Sequence, residues 1–160
     1  MNNKEIAQVF FNIACFLEMK KDNIFKIRAY QKVARSIEQL TEELETVVQQ
    51  GKLREIPGIG EAIEKKIIEM LNTGELAFFE KLKTEFPAEI AILISVPGIN
   101  PKTAGLLLNE YGIKTINDLA GFTLSGKLAR IPGIDDNTSA AATRYFLQER
   151  EKDVFQLKPG

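Results

Sequence analysis

The sequence predicts an all-helical protein made of two compact helical units. Three observations carry that prediction. Apolar residues recur at three- and four-residue spacing through the long segments, the period of a helix with one buried face. No stretch alternates convincingly with the period of two that a half-buried strand requires. A Pro-Gly-Ile turn is also written three times, at Pro57, Pro97 and Pro132, spaced 40 and then 35 residues apart, and a repeat of that length bears on the whole architecture. Pro87 interrupts the helical pattern, so the boundary is expected near residues 83 to 90, giving units of 1–85 and 86–160.

The elements follow in order. "NKEIAQVFFNIACFLEMK" sets Ile6, Val9, Phe10, Ile13, Phe16 and Leu17 on one face. Asp22 and Asn23 can cap the next helix, "IFKIRAYQKVARSIEQL", whose stripe runs through Ile27, Tyr30, Val33, Ala34, Ile37 and Leu40. Thr41, Glu42 and Glu43 open a short helix bearing Leu44, Val47 and Val48, which Gly51 ends. After the first Pro-Gly-Ile turn a helix is expected from about Glu61 to Asn72, stopping at "NTGE". "LAFFEKLKTEF" and "AEIAILIS" give two more segments. "IAILI" has the composition of a short buried strand, but its place before a turn-helix repeat favours helix.

Composition narrows the chemistry. The 160 residues are 44% hydrophobic, enough for a core, and contain no apolar run long enough to cross a bilayer. "MNNKEIAQVFF" lacks the basic stretch and small-residue cleavage site of a signal peptide. Cys15 is the one cysteine, so intramolecular disulfides and cysteine-built zinc sites are excluded. Without histidine there is no imidazole catalysis, no Ser-His-Asp triad and no histidine metal ligand. These absences lead to the expectation of a cytoplasmic protein.

Net charge is -1, which by itself does not suggest a nucleic-acid partner. The average hides an asymmetry. Lys20, Lys21, Lys26, Arg28, Lys32 and Arg35 face the single acid Asp22, and Glu38, Glu42, Glu43 and Glu45 follow at once. Basic charge gathered on one helix can steer a phosphate backbone despite a neutral total. A solvated basic helix followed by an acidic one fits the same residues.

Each Pro-Gly-Ile turn must reverse the chain within a few residues, and glycine permits the backbone angles this needs. Backbone N–H groups and the start of the following helix then lie open, with the helix dipole behind them, as an anion site. The pattern resembles the helix-hairpin-helix motif, an element that grips one DNA strand by its backbone without reading sequence. "IPGIGEAI" is the best copy and contributes Gly58 and Gly60. "VPGINPKTA" contributes Gly98, Asn100 and Lys102, with Asn100 standing in for the second glycine because asparagine tolerates left-handed angles. "IPGIDDNTSA" sets Asp135 and Asp136 at the phosphate end, where they repel phosphate, so the third copy is expected to be a degenerate packing element. All three also fit tight helix-helix turns with no ligand.

"NIFKIRAYQKVARSIEQL", then "LREIPGIGEAIEKKIIEMLNTGEL", then "LISVPGINPKTAGLLLNEYGIKTINDL" resemble, in collinear order over about residues 4 to 122, the amino-terminal half of the family X DNA polymerases, the bacterial branch most closely. The resemblance implies a small four-helix lyase-like domain with the first hairpin, then a helical domain with the second hairpin and the degenerate third. It fades beyond Phe122. The polymerase palm has no counterpart here: there is no Asp-x-Asp pair on a strand, so nothing would hold the two magnesium ions of nucleotidyl transfer. The dissimilar tail "YFLQEREKDVFQLKPG" favours a separate protein over a polymerase fragment.

In that family a lysine after the first hairpin attacks an abasic deoxyribose as an amine, and the resulting Schiff base permits β-elimination. The resemblance gives this role to Lys66, places Tyr30 and Lys26 near the sugar and its 5′-phosphate, and makes Arg54 a phosphate contact. A nucleophilic lysine must be partly neutral, which low solvation and nearby positive charge from Lys65 and the Lys26 helix would favour. Ala62 departs from the family by replacing a phosphate-binding lysine, and Lys65 by replacing a carboxylate. The same residues fit an exposed helix lysine at position 66 and a core aromatic at position 30.

The family also holds a Na⁺ or K⁺ ion on hairpin carbonyls. Carried over, these are Arg54, Ile56 and Ile59 in the first turn and Ile94, Val96 and Ile99 in the second. Three function classes follow: a sequence-independent DNA-binding module for gapped or 5′-phosphorylated ends, working beside a repair polymerase or nuclease; a 5′-deoxyribose-phosphate lyase; and a helical protein-interaction module, to which the acidic pI gives weight.

Overall fold

The computed structural model describes residues 1–157, so the last three residues of the dissimilar tail lie outside the described residues. Every regular element among the described residues is helical. The chain divides into two compact units, Met1–Glu85 and Phe86–Gly160.

The first unit is built on a helical hairpin. Helix α1 (Asn3–Met19) starts where the Asn2 side chain accepts a bond from the Glu5 amide, and α2 (Ile24–Glu38) starts where Asn23 accepts from the Phe25 amide. Between them Lys21 adopts a left-handed backbone, with φ 60°. The two helices pack along their length. Phe10, Ile13 and Phe16 of α1 and Val33, Ala34 and Ile37 of α2 are fully excluded from solvent. Burying each of the larger of these side chains stabilises the unit by about 1.5–3 kcal/mol.

Helix α3 (Leu44–Gln49) receives no cap from its own N-cap residue, Glu43. Instead Asn3, at the start of α1, accepts a 2.8 Å bond from the Leu44 amide and donates one to the Glu42 carbonyl. A 3-10 turn (Leu53–Glu55) leads into the first Pro-Gly-Ile turn and α4 (Glu61–Thr73), which ends at a left-handed Gly74. Helix α5 (Ala77–Lys83) closes the unit on α1, where the Phe16 and Phe79 rings lie 6.2 Å apart.

The second unit contains α6 (Ala88–Leu93), α7 (Pro101–Tyr111), α8 (Ile116–Leu124), a 3-10 turn (Leu128–Arg130) and α9 (Asp136–Leu157). "IAILI" is therefore helical through Leu93, with Ile94 as the C-cap of α6. Thr115 and Asp118 form a reciprocal capping box that starts α8. The core gathers Leu93, Val96, Ile99, Leu107, Leu119, Leu128 and Phe146.

Candidate nucleic-acid interface

The three repeats fold into one local structure. In each, the residue before proline accepts a bond from the amide three residues on: Ile56 from Ile59 at 3.1 Å, Val96 from Ile99 at 3.1 Å, and Ile131 from Ile134 at 3.2 Å. Gly58, Gly98 and Gly133 each have φ of 90°. Proline followed by a positive-φ glycine is the signature of a type II turn. The isoleucines flanking the first turn, Ile56 and Ile59, are buried, while Pro57, Gly58 and Gly60 are exposed. Apolar anchors thus hold the turn down and leave its backbone outward.

The surroundings of the three turns differ. A β-carbon on residue 58 would meet Val33 Cγ2 at 3.3 Å and Lys32 Cγ at 3.5 Å, so the first turn rests on the basic helix α2. Gly60 is the N-cap of α4 and supplies no side-chain cap, which leaves the first-turn amides of α4 for an outside acceptor. Arg54 is committed within the protein: its Nη2 and Nε both lie 3.2 Å from Glu64 Oε1, joining the two sides of the hairpin. Lys26 stands on the first turn of α2, 4.0 Å from Asp22 and largely exposed.

In the second hairpin Asn100 has an extended backbone, φ -89° and ψ 169°, and its side chain accepts a 2.8 Å bond from the Thr103 amide. The reason for asparagine here is helix capping, not the left-handed tolerance expected from the sequence. Gly98 lies against α9, where a β-carbon would meet the Thr138 carbonyl oxygen at 3.1 Å. Lys102 is exposed on the first turn of α7. In the third hairpin Asp135 accepts a 2.7 Å bond from the Thr138 amide, and this bond holds its carboxyl below the usual range. Gly133 faces open space. The positions Gly60, Asn100 and Asp135 are equivalent, and of the three only the first leaves its helix uncapped.

On one face of α4, Glu61, Ala62, Lys65, Lys66 and Glu69 border an open, shallow cavity of about 570 Å³. Lys65 pairs with Glu61 at 3.4 Å, and Glu69 accepts a bond from the Ala77 amide. Lys66 has no ion-pair partner among the described residues; its Nζ sits 5.1 Å over the Phe78 ring. Phe78 stacks on Tyr30 (6.1 Å, 15°), and Tyr30 on the buried Phe10 (6.0 Å, 26°). An aromatic column rooted in the core thus joins Tyr30 and Lys66. Burial pushes the Tyr30 hydroxyl above its ordinary value, so at neutral pH it remains a proton donor.

Phe25 was missed from sequence. It is 74% exposed beside Lys26 on the first turn of α2. The available signal was its register, since it falls off the stripe of Ile27, Tyr30, Val33 and Ile37.

The carbonyls carried over for a monovalent cation are neutral oxygens that flank the first two turns. Those of Ile56 and Val96 already accept one turn bond each and keep a second lone pair.

Residues 1–76 match the family model of a helix-hairpin-helix domain, and residues 90–140 that of a SAM-like helix-hairpin-helix tandem. The chain is 29% identical over 119 residues to the DNA polymerase/3'-5' exonuclease PolX of Bacillus subtilis (strain 168), covering 74% of this chain and 20% of that protein. It is 36% identical over 119 residues to DNA polymerase lambda of Arabidopsis thaliana, covering 73% of this chain and 21% of that one. The chain thus spans about a fifth of the length of these curated relatives. No helix among the described residues is long and apolar enough to cross a membrane.

Proposed function

Given a chain that carries two helix-hairpin-helix domains and is related in sequence to the family X DNA polymerases, we propose that it grips DNA by the phosphate backbone, without reading sequence, through its first hairpin and the basic helix α2 on which that hairpin rests. The observation that carries this reading is the seat of Gly58 on Lys32 and Val33, which fixes an uncapped helix start against a basic helix. The amides of Gly58 and Gly60 and of the first turn of α4 would donate to one phosphate, with Lys26 and Lys32 adding charge. Arg54 would join only by leaving Glu64. Phe25 offers a face on which an unpaired base can stack, which favours gapped DNA with a 5′-phosphate over intact duplex. Gly98 and Lys102 would make a second backbone contact from the other unit. A Na⁺ or K⁺ ion on the turn carbonyls would add positive charge beside the same phosphate.

The test is binding of the whole chain to gapped, nicked and intact duplexes, with and without a 5′-phosphate, across a salt series. Affinity should fall with salt, with a log–log slope of about -0.9 per phosphate neutralised, and should change little with sequence. Salt-independent binding, or no binding, would refute the proposal.

A second reading, lyase chemistry at Lys66, is favoured by an amine without a carboxylate partner beside a cavity and an aromatic column. The neutral amine would add to the C1′ aldehyde of an abasic sugar and expel water to give an iminium. Loss of a C2′ proton to a base would then break the C3′–O bond and release the phosphate. The carboxylates on the cavity wall, Glu61 and Glu69, are both engaged within the protein, so the elimination step has the weaker support.

A further inference from the structure

We infer that the second unit carries a docking groove for another protein, formed where the end of α8 and the turn Leu128–Arg130 meet α9, and that its occupant is an apolar side chain presented by an acidic segment. The groove is an open one of about 340 Å³ over small residues, Gly126, Ala129 and Ala140, with the 45% exposed Leu147 on its wall. Its polar lining is largely self-satisfied: Ser139 Oγ bonds the Asp136 carbonyl and Thr143 Oγ1 the Ser139 carbonyl, so these residues offer mainly carbon. Thr123 is the exception. It is 4% exposed, forms part of the wall, and its hydroxyl has no partner.

Charge selects the occupant. Arg144 lines the groove, and Lys127 and Arg130 adjoin it on the residues next to Gly126 and Ala129; none of the three has an ion pair among the described residues. An apolar recess beside three unpaired cations complements an apolar anchor flanked by carboxylates. Nucleic acid suits it less. The lining is mostly carbon, and a sugar-phosphate backbone offers no apolar side chain to fill it.

The experiment uses the whole ¹⁵N-labelled chain and short synthetic peptides with one leucine among glutamates. Matched peptides replace the leucine by serine or the glutamates by lysines, and an oligo(dT) strand serves as the nucleic-acid arm. The acidic leucine peptide should shift the amides of Gly126, Ala129 and Ala140, and the two altered peptides should not. Arg144→Glu should weaken binding about tenfold, and Ala140→Leu, which fills the recess at an exposed position, should abolish it. Leu147→Ser provides a second variant should Ala140→Leu fail to fold. Equal shifts from the serine peptide, the same shifts from oligo(dT), or none from the acidic leucine peptide would overturn the inference.

Discussion

Gly58 lies against Val33: a β-carbon added to the glycine would stand 3.3 Å from Val33 Cγ2. A side chain at residue 58 would therefore force Val33 or the turn to give by a few tenths of an ångström. The same backbone angle recurs at Gly98 and Gly133, but with different neighbours. Alanine at position 133 should cost about 1–2 kcal/mol for the left-handed backbone alone. Alanine at 58 or 98 should add about 1–3 kcal/mol of overpacking, with 98 the worse because the obstacle is the Thr138 carbonyl, which cannot rotate away. Urea unfolding of the three variants measures this, and equal losses at all three would refute the packing argument.

Gly60→Asp should move stability and DNA affinity in opposite directions. Its backbone is extended and the space around it is open, so a side chain fits. An aspartate there would cap α4 and stabilise the unit by a few tenths of a kcal/mol, about the difference between Gly and Asp caps. The same carboxylate would occupy the anion position and reduce affinity for gapped DNA about tenfold or more, on the order of 1.4 kcal/mol. Thermal melts and anisotropy titrations on one preparation would reveal both signs. Unchanged DNA affinity would remove the first hairpin from the interface.

Phe25→Ala should leave the melting temperature near that of the parent, since the ring is mostly in solvent. Binding to DNA containing an unpaired stretch should fall by about 1–3 kcal/mol, the usual value of one stacked base, while binding to intact duplex changes little. An equal loss on both substrates would mean the ring does not stack on a base.

Borohydride reduction in the presence of 5′-deoxyribose-phosphate DNA tests Lys66. Lys66→Ala should remove most of any trapped adduct and Lys65→Ala far less, because neighbouring helix positions point about 100° apart and Lys65 is held by Glu61. Tyr30→Phe keeps the ring stack and deletes only the hydroxyl, so it separates positioning from proton donation. An adduct of undiminished yield in Lys66→Ala would identify a different amine.

The second unit should be acid-sensitive. Asp118 and Asp135 both sit below the ordinary carboxyl value of 3.8, each chiefly through a backbone amide bond, to Lys114 and Thr138 respectively. A depressed folded value means the stabilisation is complete above 3.8 and is lost as pH falls through the folded values beneath it. Asp135→Asn keeps an acceptor for the Thr138 amide and removes the titration, so its acid unfolding should be shallower. An unchanged acid profile would show that this cap does not contribute to the pH dependence.

Much of the fold was legible because each signal was local. The 3.6-residue stripes of α1 and α2 and the Pro-Gly pairs carry their own geometry, and the helices and turns appear where those residues stand. The site was less legible because its decisive relations are between elements. Nothing in "IPGIG" says that residue 58 will rest on residue 33, nor that Arg54 will turn back to Glu64. Asn100 shows a subtler limit: both of its uses are local, and sequence alone did not choose between a left-handed turn and a helix cap. Phe25 is marked only by its register, off the apolar stripe of α2 and among basic residues.

The clamp that Asn3 places on Leu44 and Glu42 joins two stretches about forty residues apart through a single amide side chain. The amide of Leu44 is shielded only while the beginning of α1 is in place. Solvent deuterium should therefore enter at Leu44 and at Glu5 and Ile6, whose amides bond Asn2, at a common rate. Asn3→Ala should quicken both together, making the first few residues a latch on a distant helix and not a fraying end.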